Sequence, residues 1–355
     1  MTVFLVIIVL ALLAVTGWQM SKIFQMSQGP GAESSEIAND NDNRQQAKLM
    51  LWFMIFIYVG MAYSFWHWSK LYLPEAASEH GNQVDTLMFI SIGLIMVVQV
   101  ITQALLHWFA YKYQGKKGKR ALFFADNDKL EFIWTIIPVI TLAGLIIYGL
   151  FTWSDIMNIS EDNDPIVVEI YAKQFSWQAR YAGEDNTLGE ANVRFIEGIN
   201  TVGLNENDPY ADDDKITTEL HLPVGKEVLF KFRSQDVLHS AYFPHFRAQM
   251  NVVPGMVTQF AFTPDITTEE MRNSEYMVDK VKTINEIRKD NSEALMAEGE
   301  APLDSYEFDY FLLCNKICGD AHYNMQMKII VESEKDYNEW LSEQDTFAST
   351  LESQE

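Results

Sequence analysis

Three long apolar stretches constrain this chain more than any other feature. They run approximately from residue 49 to 68, from 87 to 110 and from 132 to 153, with no Lys, Arg, Asp or Glu inside them. A helix of about 20 apolar residues crosses a hydrocarbon core about 30 Å thick, so each stretch is long enough to span a membrane. Trp, Tyr and His flank the stretches, which is typical of the membrane surface. We therefore expect an α-helical membrane domain over residues 1–153.

A fourth apolar stretch, residues 3–18, is shorter and resembles a secretory signal in length. It lacks a basic amino-terminal region and a small-residue cleavage site, so we expect it to be a retained helix. The densest basic cluster, "YKYQGKKGKR", lies between the second and third long stretches and is cytoplasmic by the positive-inside rule. Loops 19–48 and 111–131 are then cytoplasmic, and the chain after residue 153 lies outside the cytoplasm.

The part of the chain after residue 153 carries all of the net charge. Residues 1–153 contain 10 basic and 10 acidic residues, whereas residues 154–355 contain 16 and 39, which accounts for the formal charge of −23. An acidic surface disfavours nucleic acid and attracts a basic partner. The alternative is that the charge only keeps an exposed domain soluble.

Residues 154–332 have the pattern of a β domain. Short runs rich in β-branched and aromatic residues follow one another with Pro and Gly turns between them, which predicts an all-β sandwich or barrel. Two polar segments, near 184–216 and 265–301, interrupt the pattern. The second has helical spacing and opens with a capping sequence, and we expect both to be insertions. Residues 333–355 are predicted to be an acidic tail with a short helix that frays.

The segment "CNKICGDAHYNM" holds the only two cysteines of the chain, Cys314 and Cys318, followed by His322 and Met325. A disulfide is one alternative outside the cytoplasm, but it leaves the histidine and the methionine unexplained. Structural zinc is a second alternative, yet it has little use for methionine. A cupredoxin copper site combines Cys, His and Met on one loop with a distant upstream histidine, here His239 in "DVLHS".

The second cysteine indicates a pair of copper ions rather than one. Two thiolates four residues apart can both bridge two ions, which leaves one histidine for each ion and a methionine and a backbone carbonyl as weak ligands. Soft thiolate and thioether donors favour copper. Such a centre shares one electron between two metals and suits one-electron transfer. His239 is the expected upstream ligand, and His245 competes for that role.

Together these motifs resemble subunit II of the haem-copper cytochrome c oxidases. "CNKICGDAHYNM" resembles the copper A loop of that family, "DVLHS" its upstream histidine segment, and "LEFIWTIIPVI" the start of the second helix of its membrane hairpin. The resemblance implies transmembrane helices followed by a cupredoxin-like sandwich, in a bacterial inner membrane with this domain on the periplasmic side. It also implies electron transfer from a c-type cytochrome through a binuclear copper A centre to haem in subunit I. That subunit reduces oxygen to water and pumps protons.

The resemblance also implies roles for individual residues. Glu131 corresponds to a glutamate at the mouth of a proton pathway, and an ordinary carboxylate beside a helix amino terminus is the alternative. Phe175 replaces the tryptophan that the family uses for electron input, and Trp177 follows two residues later. The implied copper ligands are His239, Cys314, the backbone carbonyl of Lys316, Cys318, His322 and Met325.

Lys316 departs from the copper loop of the family. The family has a glutamate there, whose carboxylate holds a magnesium ion at the interface with subunit I. An ammonium group offers magnesium no oxygen ligand, so we do not expect Lys316 to hold this ion. No C-x-x-C-H motif occurs, so haem is expected on partner subunits only. Two other functions remain open, the copper A subunit of a nitric oxide reductase and a membrane-tethered copper carrier.

Overall fold

The computed structural model describes residues 2–27, 39–159 and 164–353. It separates into two compact units. The first comprises Met1–Tyr72 with Ile92–Ile136, and the second comprises Leu73–Ser91 with Ile137–Glu355.

Four long helices precede the β domain in the described ranges. α1 spans Thr2–Ser27, α2 Asp40–Trp68, α3 Glu79–Lys112 and α4 Asp128–Met157. α2, α3 and α4 are long and apolar enough to cross a membrane, as the three long apolar stretches predict. The apolar part of α1, Ile8–Ser21, is shorter than these.

The predicted loop over residues 19–48 is partly helical. α1 continues through Ser27 and α2 begins at Asp40, whereas residues 28–38 lie outside the described residues. The side chain of Asn39 caps α2 by accepting hydrogen bonds from the amides of Asn41 and Asp42, at 2.9 and 3.0 Å. The polar residues of this loop therefore begin the next helix.

Ten strands form the β domain within the residues that the structure describes. β1 spans Ile166–Lys173, β2 Ser176–Tyr181, β3 Lys215–Thr217, β4 Leu220–Pro223, β5 Val228–Ser234, β6 His239–Phe243, β7 Ala248–Val252, β8 Thr258–Phe262, β9 Tyr310–Cys314 and β10 Gln326–Glu332. They form two five-stranded sheets, in the orders β3-β2-β1-β5-β8 and β4-β10-β9-β6-β7. β1 pairs with β5 and β10 with β4 in parallel, and the other neighbours are antiparallel.

Aromatic side chains fill the space between the two sheets. Phe230 of β5 lies with its ring centroid 4.9 Å from that of Phe262 on β8, in its own sheet. Phe243 of β6 reaches across from the other sheet, 5.3 Å from Phe230. All three are almost completely buried, so burial of alternate strand residues holds the sheets together. The predicted fold class, apolar helices followed by an all-β sandwich, is confirmed.

The acidic segment near 184–216 is packed, because its aspartates accept hydrogen bonds from backbone amides. Asp213 Oδ2 accepts from the amide of Glu184 at 2.7 Å, and Asp208 Oδ2 accepts from that of Glu190 at 2.6 Å. The segment also includes the 3₁₀ turns Val193–Phe195 and Pro209–Ala211. A small apolar cluster lies beneath it, made of Val202, Leu204 and Ala211 with Tyr171 and Phe347.

A buried ion network supports the same segment. Arg233 of β5 donates to both carboxylate oxygens of Glu169 on β1, at 2.9 and 3.0 Å. Arg180 of β2 lies 3.1 Å from both Glu169 and Asp214. Burial raises the pKa of Asp214 to about 7, although the nearby Arg180 lowers it.

The segment near 265–301 is helical, as its spacing predicts. α5 spans Thr268–Asn273 and α6 spans Glu275–Ala297. Thr267 Oγ1 accepts from the amide of Glu270 at 3.1 Å, and the Glu270 carboxylate accepts from the amide of Thr267 at 2.9 Å. This reciprocal pair is a capping box and fixes the start of α5.

The carboxyl-terminal segment does not fray after its first helix. α7 spans Glu334–Ser342, and a second helix, α8, spans Phe347–Glu352. The amide of Phe347 donates to the carbonyl of Asp214 at 2.8 Å, and its ring is 4% exposed in the small apolar cluster. The expectation of a frayed tail was wrong up to residue 353, because one aromatic side chain anchors the tail to the insertion.

Candidate metal centre

The cysteine loop and His239 meet at one end of the second sheet. His239 is the first residue of β6 and Cys314 is the last residue of β9, and these strands pair with Ala241 opposite Cys314. Cys318 lies in the loop between β9 and β10. The amide of Cys314 donates to the carbonyl of Met325 at 3.0 Å and closes the base of that loop. The sheet therefore brings together residues that are far apart in sequence.

The two thiols lie at the centre of the group. Cys314 Sγ is 3.8 Å from Cys318 Sγ and 3.8 Å from His239 Nδ1. Cys318 Sγ is 3.6 Å from His322 Nδ1 and 3.7 Å from Met325 Sδ. Candidate ligand atoms of His239, Cys314 and Cys318 all lie within 4.8 Å of one another. Each sulfur thus faces the other sulfur and one imidazole nitrogen.

The chemistry of this donor set fits copper. Both cysteines are free and buried. Burial, with Cys314 beside it, raises the pKa of Cys318 to about 11. Two neighbouring thiolates therefore need bound positive charge to be stable at this place. Two thiol sulfurs, one thioether sulfur and two imidazole nitrogens are the soft and intermediate donors that copper prefers.

The backbone of Lys316 faces the group, whereas its side chain is exposed. The Lys316 carbonyl accepts a hydrogen bond from Cys314 Sγ at 3.2 Å. Within the described part of the chain, the ammonium group makes no ion pair, with Asp320 or any other carboxylate, shorter than 4.0 Å. A lysine at this position therefore leaves the backbone carbonyl free to take the predicted ligand role, because that role does not involve the side chain.

Asp236 lies directly behind His239. Its Oδ1 is 2.9 Å from His239 Nε2, so the ring nitrogen that faces away from the sulfurs has a carboxylate partner. Partial burial raises the pKa of Asp236, but hydrogen bonds from the amide of Gln174 and from His239 outweigh it and hold the pKa below its usual value. Carboxylates in this position orient metal-binding histidines in many proteins.

The two aromatic residues predicted for electron input lie at different depths. Trp177 is only 3% exposed, and its ring centroid is 5.9 Å from that of His239. Its indole N–H donates to the carbonyl of Met325 at 3.4 Å. Phe175 is half-buried and packs against Gly319 of the cysteine loop. Trp177 is therefore part of the inner wall of the site, and Phe175 is nearer to the surface.

The remaining predicted residues lie elsewhere. His245 is partly buried beside Phe308 and Tyr310, with ring centroids 5.1 and 5.2 Å away, and this burial lowers its pKa to about 4. Among the described residues it does not join the group around the sulfurs, whose upstream histidine is His239. Glu131 lies exposed in the first turn of α4, where its amide donates to the carbonyl of Asn127 at 2.9 Å.

Sequence reasoning missed two residues at this site. Asp236 stands three residues before His239, and this D-x-x-H spacing in "DVLHS" was a usable signal. Gln174 donates through its side chain to the carbonyl of Cys318, a contact that joins residues 144 positions apart. No local sequence pattern predicts a contact between residues so far apart.

Several known proteins similar to this chain are subunits of respiratory oxidases. Residues 66–151 match the family described as cytochrome c oxidase subunit II, transmembrane domain. The quinol oxidase subunit 2 of Bacillus subtilis is 24% identical over 248 residues, covering 66% of this chain and 68% of that protein. The periplasmic domain of subunit II of cytochrome oxidase from Bradyrhizobium japonicum has 14% identity, a TM-score of 0.29, and coverage of 50% of this chain and 91% of that one.

The strongest of these likenesses extends over most of both proteins. The alternative cytochrome c oxidase subunit 2 of Bradyrhizobium diazoefficiens is 32% identical over 290 residues, which cover 81% of this chain and 87% of that protein. On this identity and coverage, the chain belongs to the cytochrome c oxidase subunit II family.

Proposed function

We propose that this chain is the electron-accepting subunit of a terminal cytochrome c oxidase and that it holds a binuclear copper A centre. Membership of the family makes it a subunit of a haem-copper oxidase. The observation that carries the finer proposal is the convergence of two thiols, two imidazole nitrogens and one thioether at one site. When bound, a thiolate-bridged copper pair accepts and passes on single electrons.

The residues of the site would either bind the copper ions or shield them from water. The two thiolates would bridge the ions, because each sulfur faces the other sulfur and one histidine. Trp177 would exclude water from one side of the centre, since its indole is almost fully buried. The proposed ligands are His239, Cys314, Cys318, His322 and Met325 through their side chains and Lys316 through its carbonyl.

A basic c-type cytochrome is the proposed donor. The part of the chain after residue 153 carries an excess of 23 acidic residues, which would attract a basic protein. Two apolar side chains of the cysteine loop, Ile317 and Tyr323, are 87% and 88% exposed and give a partner subunit or donor an apolar contact beside the metal. Phe175 is the proposed residue of electron input at the surface.

The proposed acceptor is haem in subunit I of the same complex, which would reduce oxygen to water and pump protons. α2, α3 and α4 would cross a bacterial inner membrane, with the β domain on the periplasmic side and the basic loop before α4 in the cytoplasm. Glu131 would then lie at the cytoplasmic end of α4, where a carboxylate can take up protons.

Copper binding to the full-length chain in detergent tests this proposal. We expect two copper ions per chain and a seven-line hyperfine pattern in the electron paramagnetic resonance spectrum, because one electron is shared by two equivalent copper nuclei. Cys318→Ser should abolish this pattern, since Cys318 Sγ contacts the Cys314 thiol, the His322 imidazole and the Met325 thioether. Met325→Leu should keep both ions and change the spectrum, because a weak axial ligand tunes the centre more than it binds it.

Met327→Leu is the matched control for the methionine variant. Met327 is almost as buried, on β10, and among the described residues no hydrogen bond joins its sulfur to Cys314 or Cys318, so its replacement should leave the spectrum unchanged. A wild-type chain that binds at most one copper ion, or a Cys318→Ser variant that keeps the shared-electron pattern, would contradict the proposal.

A further inference from the structure

The turn between β1 and β2 is bound to the cysteine loop. The side-chain amide of Gln174 donates to the carbonyl of Cys318. The backbone amide of the same residue donates to Asp236 Oδ2 at 2.7 Å. One residue of this turn therefore contacts both the loop that carries the cysteines and the segment that leads into β6.

Asp236 extends this connection to the upstream histidine. Its Oδ1 accepts hydrogen bonds from His239 Nε2 at 2.9 Å and from the amide of Val237 at 2.7 Å. Because a carboxylate accepts, the hydrogen of this contact lies on His239 Nε2, and Nδ1 is the ring nitrogen left to bind a metal. The lone pair of Nδ1 then points toward Cys314 Sγ, 3.8 Å away.

From these contacts we propose that Gln174 and Asp236 are positioning residues for the metal centre. They form a clamp, defined here as the hydrogen-bonded chain from His239 through Asp236 and Gln174 to Cys318. The clamp joins two proposed ligands that come from different parts of the sheet, and it fixes both the tautomer of the histidine and the position of the loop. This inference rests on the proposed function, because it assigns these residues to the same copper site.

Close packing of the turn on the loop supports the clamp. A Cβ atom on Gly319 would lie 2.8 Å from Phe175 Cζ and 2.9 Å from Gln174 Nε2. Gly319 also has a φ of +140°, which side chains rarely adopt. Only a glycine lets the turn approach closely enough for Gln174 to reach the carbonyl of Cys318.

The tautomer can be tested without metal. Nitrogen-15 chemical shifts of the histidine rings in the metal-free, full-length chain distinguish hydrogen on Nε2 from hydrogen on Nδ1. We expect His239 to carry hydrogen on Nε2, and Asp236→Ala to convert it to a mixture of tautomers. Asp212→Asn is the matched control, since Asp212 is an exposed carboxylate of the same domain whose side chain makes no hydrogen bond to the site.

The positioning role predicts a loss of copper affinity. Asp236→Ala and Gln174→Ala should each weaken copper binding by about 10- to 100-fold and shift the thiolate-to-copper absorption bands. Asp236→Asn keeps an oxygen for His239 but loses the acceptor for Gln174, so its loss should be smaller than that of Asp236→Ala. Gln259→Ala, which removes an exposed glutamine from β8, is the control and should change neither quantity.

Combining the two alanine variants separates a clamp from two independent contacts. If both residues act through one chain, the double variant should lose less affinity than the product of the two single losses. Multiplicative losses, or single variants with the wild-type spectrum, affinity and His239 tautomer, would overturn the clamp. Failure of the wild-type chain to bind two copper ions would instead overturn the proposed function, and the metal-free tautomer would still test the clamp's contact to His239.

Discussion

Phe347 anchors α8, and replacing it with alanine should destabilise the β domain. The ring is 4% exposed and packs with Tyr171, Val202 and Leu204 in the small cluster under the insertion. Replacing a buried Phe by Ala costs about 3–5 kcal/mol, and we expect about 3 kcal/mol because this cluster lies apart from the main core and can partly collapse. For a domain of this size, that loss lowers the Tm by about 6–12 °C.

Thermal unfolding of the full-length chain in detergent, followed by near-ultraviolet circular dichroism, measures this change. Glu352→Ala is the control on the same helix, since Glu352 is exposed and its replacement should shift the Tm by no more than about 2 °C. If Phe347→Ala unfolds at the same temperature as Glu352→Ala, then α8 does not stabilise the domain and the reasoning from burial is refuted.

The negative charge of the β domain predicts that the rate constant for association with a basic cytochrome c falls steeply as salt rises, because exposed charges are screened beyond about 8 Å at physiological ionic strength. Stopped-flow rate constants that do not change with salt would exclude electrostatic attraction of the donor. Lys316→Glu should introduce stoichiometric magnesium into the assembled oxidase, measured by elemental analysis, since the carboxylate supplies the hard oxygen that lysine lacks; magnesium bound equally by wild type and variant would refute a block by lysine. The pKa of Asp214, raised by burial from 3.8 to about 7, means that the folded state binds a proton that the unfolded state releases. Stability should therefore fall as pH rises from about 4 to about 7, and Asp214→Asn should flatten that part of a Tm-against-pH curve; identical curves would show that Asp214 ionises normally in the fold.

The helices and most of the proposed metal ligands could be predicted because their signals are local. Three apolar stretches without charge have few alternatives to membrane helices. Cys314, Cys318, His322 and Met325 lie within twelve consecutive residues, so their spacing alone restricts the chemistry. The segment "DVLHS" favours His239 over His245 as the upstream ligand, and the structure brings His239 to the sulfurs.

Apart from Asp236, the features that were missed depend on contacts between distant residues. Gln174 meets Asp236 across 62 positions and Cys318 across 144. Phe347 is a buried aromatic residue in an acidic segment, and its partners Val202, Leu204 and Ala211 lie on the insertion near 184–216. That insertion reads as a loop because its aspartates are polar, yet the same carboxylates hold its backbone in place. Composition describes the residues but not the amides that they meet.

The pairing of β6 with β9 also determines when the proposed metal centre can form. His239 and Cys314 are separated by 75 positions, and the helical insertion lies between them. Closing so long a loop is slow compared with forming a local turn, because its entropy must be lost before any contact is gained. The cysteine loop alone can capture a metal early, but a site that includes His239 has to wait for the sheet. If copper is present during refolding, the rate at which the absorption of the complete centre appears should therefore report the rate of the last stage of folding, the pairing of β6 with β9.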